Sequence, residues 1–118
     1  MTAARPREAG DRFERSAKAA LEAVGYVVTR SAGSLGPFDL IAIRKQSTTL
    51  LVSCKVSGRI DPGERSAIID VAERGGARAL MACRTRRGYV DLHMIRLDGR
   101  ARKPITSLPI PARVRRDH

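Results

Sequence analysis

Four charged side chains in this 118-residue sequence stand where charge is costly to bury. Asp39 opens an apolar run, Leu40 to Ile43, and Lys55 follows a second one, Leu50 to Val52, after Ser53 and Cys54. Two short apolar runs with polar residues between them predict two strands joined by a hairpin. In an antiparallel hairpin the start of one strand lies beside the end of the other, which brings Asp39 and Lys55 to one sheet edge. Period-two alternation puts Asp39 on the face of Ile41 and Ile43, and Lys55 on the face of Ser53 and Leu51. Glu14 borders the apolar stripe of a preceding helical segment, and Glu64 lies one turn before Ile68 on the inward face of a later one. Charged groups at such an edge are stable when paired with each other or bound to a metal. The constellation therefore marks a site.

The elements that must position these residues follow from periodicity. Phe13, Ala17, Ala20, Leu21 and Val24 form a helical stripe, predicting a helix from Asp11 to Val24 that stops at Gly25. The plain explanation of Glu14 is a capping box with Asp11. Tyr26 to Arg30 predicts a first strand. The small-residue loop from Ser31 to Pro37 is compatible with a phosphate approaching Gly33 and Gly36 while Ser34 donates to it, and equally with a simple connector. After the hairpin come a loop with Arg59 and a helix from Pro62 or Gly63 to Arg74, its inward stripe being Ile68, Val71 and Ala72. Helix-dipole compensation is the plain explanation of Glu64. Gly75 and Gly76 end that helix, Ala79 to Cys83 predicts a buried strand, and Arg84, Arg86, Arg87 and Gly88 form a basic turn. Tyr89 to Leu97 predicts the last strand, with Val90, Leu92 and Met94 inward and His93 outward. The expected organisation is a mobile arm over 1–10, one domain over 11–97 and a basic Pro/Arg-rich tail over 98–118. The expected fold class is α/β, a mixed β-sheet flanked by helices in the order αβββαββ.

Composition narrows the partners. Twenty-three basic residues, mostly arginine, against 12 acidic ones give a formal net charge of +11, which favours a polyanion through counterion release. Aromatic residues are only 3%, too few for a stacking platform on single strands. There is no apolar run of about 18 residues and no signal-peptide core, so the expectation is an intracellular, cytoplasmic protein with no membrane partner. Cys54 and Cys83 lack metal-ligand spacing and read as buried reduced thiols.

Gly36-Pro37-Phe38-Asp39 followed by a strand ending Ser53-Cys54-Lys55 resembles the PD-(D/E)xK nuclease signature. The wider pattern is similar to the archaeal-type Holliday junction resolvases: Glu14-Arg15 in an opening helix, Val28-Thr29-Arg30-Ser31-Ala32-Gly33-Ser34 before the aspartate, Gly75-Gly76 after a helix, and a strand ending near Cys83-Arg84. The resemblance implies a restriction-endonuclease-like core and Mg²⁺-dependent hydrolysis of phosphodiester bonds, with Mn²⁺ substituting and no small-molecule cofactor. On that pattern Asp39 is the central metal ligand, Lys55 the catalytic cation, Glu14 a second ligand, Ser34 a neighbour of the catalytic centre, and Cys54 at most a backbone carbonyl donor. The implied substrate is branched double-stranded DNA, the four-way junction, cut by a homodimer. Arg15, Arg30, Arg59, Arg84, Arg86 and Arg87 would hold its backbone.

One position departs from the pattern: Ser53 stands where the motif has an acid, and a neutral hydroxyl is a poor ligand for Mg²⁺. Either the acid has migrated, with Glu64 the candidate, or the chain is a catalytically disabled junction-binding protein, or the match fails in detail. A basic RNA-associated α/β domain is the remaining alternative.

Overall fold

The computed structural model describes residues 6–31, 37–84, 86–99 and 103–115, without the side chains of 6–9 and 115. Helix α1 (Pro6–Ala23) leads into β1 (Val27–Arg30), β2 (Leu40–Ile43) and β3 (Leu50–Cys54). Helix α2 (Pro62–Gly75) then crosses to β4 (Arg78–Cys83), followed by β5 (Tyr89–Met94), β6 (Thr106–Pro109) and the short α3 (Ala112–Arg115). The strands form one six-stranded sheet in sequence order. Every neighbouring pair is antiparallel except β3 with β4, the pair that α2 connects, since parallel strands need a crossover.

Alternation along the strands assigns each face a helix. Leu50 and Val52 of β3, Leu40 and Ala42 of β2, Leu80 and Ala82 of β4, and Val90 and Leu92 of β5 form one buried layer with Phe13, Ala17, Ala20 and Leu21 of α1. The intervening residues, Leu51 and Ala79, meet Ile68 and Ala72 of α2 on the opposite face. Helix α2 is defined at both ends. Asp61 caps it, its Oδ2 accepting from the backbone of Gly63 at 3.0 Å and of Glu64 at 3.4 Å, and Pro62 occupies the first turn, where its missing N–H costs nothing. Gly76 closes the helix in the left-handed region at φ 66°, which glycine adopts without strain.

Several expectations are corrected. Helix α1 begins at Pro6 and not at Asp11, so part of the expected arm over 1–10 is helical. The segment after Asp98, expected as a tail, carries a sixth strand pairing with β5 from Tyr89↔Pro109 to Leu92↔Thr106. Its Ile110 is buried in the layer under α1, with Leu108 and Val114 packed against it. Val24, Val71 and Met94 were assigned inward but are 40%, 37% and 36% exposed. In α2 the half-buried Ile69 takes the inward place expected of Val71. Cys54 and Cys83 are free, half-buried and buried respectively.

Candidate active site

The hairpin holds Asp39 by its backbone first. Its N–H donates to the carbonyl of Val52 and its carbonyl accepts from Ser31, both at 2.8 Å, so the residue extends the ladder just before β2. Its side chain then turns to the end of β3, where Oδ2 accepts the backbone N–H of Cys54 at 2.7 Å. This short bond from a strand terminus fixes the orientation of the carboxylate. Lys55 is placed likewise: its N–H donates to the carbonyl of Ala82 at 2.8 Å, continuing the β3–β4 ladder, and its Nζ donates to Oε2 of Glu64 at 2.8 Å. Glu64 is in the first turn of α2, so it lies near Lys55 as expected, but its side chain is 42% exposed and lies at the rim, not turned into the core.

Glu14 arrives from α1 on the other face. The capping box with Asp11 does not form, because both residues lie well inside the helix. Arg30, the last residue of β1, donates instead to Oε1 of Glu14 through Nε at 3.1 Å and Nη2 at 2.9 Å, and Nη2 lies 3.4 Å from Oδ1 of Asp11. The Glu14 carboxyl titrates above its ordinary 4.5. Burial is the largest cause; the Arg30 bond opposes it, and the charge of Asp39 adds to it. Two acids from different elements thus feel each other at one end of the sheet. Cys54 lies between these charges, its thiol pushed well above the usual range by burial first and then by Asp39 and Glu14. That thiol packs on the α1 side, away from the Lys55–Glu64 pair, so the structural contribution of Cys54 is its N–H to Asp39.

Ser53 is buried, 1% exposed. It lies on the face of Leu51 under α2 and stands opposite Met81 of β4. Ser34 lies outside the described residues. Arg15, Arg59, Arg84, Arg86 and Arg87 are exposed, and Arg86 stacks on the ring of Tyr89 at 3.8 Å. Spacing alone did not show the anchoring of Arg30 on two acids of α1, which joins residues 16 and 19 positions apart. It also missed Asp91 of β5, buried and accepting from the hydroxyl of Ser107 on β6.

The carboxylates of Asp39 and Glu14 suit a hard, oxygen-preferring divalent cation in kind. In the arrangement seen, Arg30 supplies positive charge to Glu14, and Lys55 does so to Glu64. No three His, Cys, Asp or Glu side chains among the described residues are grouped closely enough to hold a metal ion. A cation at Asp39 would thus require Glu14 or Glu64 to turn from its present partner. Among the described residues no helix is long and apolar enough to cross a membrane.

Residues 5–108 match the family model described as archaeal Holliday junction resolvase (Hjc). The crossover junction endodeoxyribonuclease Hjc of Methanocaldococcus jannaschii is 39% identical over 77 residues, which is 62% of this chain and 56% of that protein. The chain thus spans just over half the length of this curated relative. In fold it is similar to the solved structure of the Hjc resolvase of Archaeoglobus fulgidus, with a TM-score of 0.65, 23% identity, and coverage of 92% of this chain and 88% of the other.

Proposed function

We propose that this chain, which belongs to the archaeal Holliday junction resolvase family, is a divalent-metal-dependent endonuclease that hydrolyses phosphodiester bonds at four-way DNA junctions. The observation that carries this reading is the Lys55–Glu64 pair, held at 2.8 Å beside the strand end where the Cys54 N–H fixes Asp39, with Glu14 of α1 within the field of that carboxylate. Phosphodiester hydrolysis develops negative charge on the phosphate and needs an activated water. A divalent cation, Mg²⁺ with Mn²⁺ as substitute, supplies neutralising charge and lowers the pKa of a bound water. Asp39 is the central ligand, oriented by the Cys54 N–H so that its carboxylate does not have to be ordered at the moment of binding. Glu14 is the second ligand from α1. Lys55, a compact ammonium on a short stretch of fixed backbone, neutralises the phosphate.

Glu64 takes over from the acid absent at Ser53. Its carboxylate already lies against Lys55, and it sits on the first turn of a helix, where a small rotation changes which group it faces. Ser34, five positions before Asp39 in the sequence, is the further residue assigned to the phosphate. The exposed arginines at 15, 59, 84, 86 and 87, with Arg30, grip the DNA backbone and not base edges, so recognition is of shape. Two symmetric nicks require two sites facing one junction, so the working form is a C2 homodimer. Its place is with the DNA, inside the cell.

The test is cleavage of a synthetic four-way junction with and without Mg²⁺ or Mn²⁺. Paired nicks by the natural chain that vanish in Asp39→Ala are expected, and loss in Glu64→Ala supports the migrated acid. Tight junction binding without nicks, with cleavage appearing only in Ser53→Glu, would show a disabled resolvase instead.

A further inference from the structure

Arg30 engages two acids at once. Its Nη2 is 2.9 Å from Oε1 of Glu14 and 3.4 Å from Oδ1 of Asp11. Those acids are three residues apart on α1 and so share one side of the helix, stacked a turn apart. Stability does not account for the arrangement. The Arg30 and Asp11 side chains are 42% and 47% exposed, and exposed ion pairs contribute little to folding. Glu14 differs from both: it is 21% exposed and lies within the field of Asp39. The guanidinium therefore bridges an acid of the site and an acid outside it.

Resting on the assignment of Glu14 and Asp39 to a divalent-cation site, we propose that Arg30 is the resting counter-ion of Glu14 and that Asp11 is the seat to which its guanidinium withdraws when Glu14 serves as ligand. Arg30 and Asp11 are then positioning residues, acting through Glu14. The geometry makes the exchange inexpensive. The contact with Asp11 is already half formed at 3.4 Å, so a small shift of the guanidinium toward the N-terminus of α1 trades one charge-assisted bond for another. Among the described side chains of α1, Asp11 and Glu14 are the acids that Arg30 contacts, so releasing Glu14 without Asp11 would leave it neither of them. Without Arg30, Glu14 would be a half-buried acid facing Asp39, with its main compensating charge removed and its affinity for any other cation raised.

Binding of Mn²⁺ to the DNA-free protein, followed by the loss of the free-ion paramagnetic resonance signal, tests this independently of cleavage. The variants are Arg30→Ala, Arg30→Gln, Asp11→Asn and the double substitution Arg30→Ala with Asp11→Asn. Removing Arg30 is expected to tighten Mn²⁺ binding by about twofold to fivefold, the range set by a partly exposed ion pair. Asp11→Asn should weaken it by about threefold alone and have no effect once Arg30 is absent. That non-additivity is the signature of an acid acting through Arg30. Equal weakening by Asp11→Asn in both backgrounds would reduce Asp11 to a distant charge and overturn the proposal. So would arginine variants, Arg30→Gln included, that bind no tighter. If the natural chain binds Mn²⁺ and Asp39→Ala does not, the site stands whatever the fate of the exchange. If the natural chain binds no Mn²⁺, both fall.

Discussion

Replacing Ser53 by glutamate should lower stability without metal and restore it disproportionately with metal. Ser53 is 1% exposed, on β3 under α2, so the longer side chain enters a packed layer. Overpacking of this kind costs about 1–3 kcal/mol. An ionised carboxylate taken from water adds a further penalty, offset in part by Lys55, two residues along the same face. A net loss of about 2–4 kcal/mol in EDTA follows. A domain of this size has about 5–15 kcal/mol in total, so the variant stays folded, with its melting temperature lowered by roughly 8–20 °C. If Ser53 occupies the place of a ligand, the variant binds Mn²⁺ more tightly than the natural chain. At a Mn²⁺ concentration of a hundred times its Kd it gains about 2.7 kcal/mol, while the natural chain, with weaker affinity, gains less at that concentration. Thermal unfolding of both proteins in EDTA and across a Mn²⁺ series measures every quantity here. Equal metal-induced gains in the two proteins would refute the placement of Ser53 at the cation site. An unchanged melting temperature in EDTA would refute the packing argument.

Asp39→Asn keeps an oxygen acceptor for the Cys54 N–H, so its stability should fall by no more than about 1 kcal/mol, while junction cleavage drops at least about a hundredfold through loss of the central ligand charge; a denaturant titration beside single-turnover kinetics separates the two. Glu64→Gln removes a partly exposed ion pair with Lys55 worth under about 1 kcal/mol, and a much larger fall in cleavage rate than in stability would mark Glu64 as part of the site. The raised pKa of Glu14 has a definite sign in stability. The folded state holds the proton more tightly than the unfolded chain at 4.5, so this contribution is complete below that pH and is lost as pH rises through the folded value. The stability of the natural chain relative to Glu14→Gln should therefore decline over the pH interval just above 4.5, as a pH series of denaturant midpoints would record. Ending the chain after Lys103 deletes β6 and α3 and uncovers the β5 edge. Loss of the buried Ile110 alone removes about 1.5–3 kcal/mol, and the expected result is a lower unfolding midpoint with increased aggregation.

The parts of this fold legible in the sequence are those where pattern and packing agree. The hairpin strands Leu40–Ile43 and Leu50–Cys54 are apolar on both faces because α1 covers one and α2 the other over most of their length, Ile43 at the end of β2 being 54% exposed. Helix α2 carries its start in Asp61-Pro62 and its stop in Gly75-Gly76. Strand β6 was not legible, since Thr106-Ser107-Leu108-Pro109 is polar, short and exposed at three of its four positions. Such a segment is a strand only because the edge of β5 offers hydrogen bonds, and an edge position tolerates Pro109. Val71 and Ile69 are both apolar, so only the docking angle of α2 decides which one is inward. In the site, the alternation of β3 and the inward side of α2 put Lys55 near Glu64 from sequence alone. The partner of Glu14 was hidden because Arg30 reads equally well as a DNA contact and as a counter-ion.

That ambiguity of Arg30 follows from what the site has to do. On the proposed function these acids serve a cation and repel one another whenever it is elsewhere, and part of Glu14's raised pKa comes from Asp39. In this chain the repulsion is relieved from within: Arg30 holds Glu14, Lys55 holds Glu64, and the backbone of Cys54 holds Asp39. The serine at position 53 removes one acid from the centre of that cluster and leaves the other charges paired. A third carboxylate buried beside Asp39 would raise the electrostatic cost of the resting state, whereas one carried at the N-terminal turn of α2 is stabilised by the helix dipole and by Lys55. On the proposed assignment of Glu64, an acid carried on the helix and not on the strand retains a donor within reach of the site while lowering the cost of holding it there.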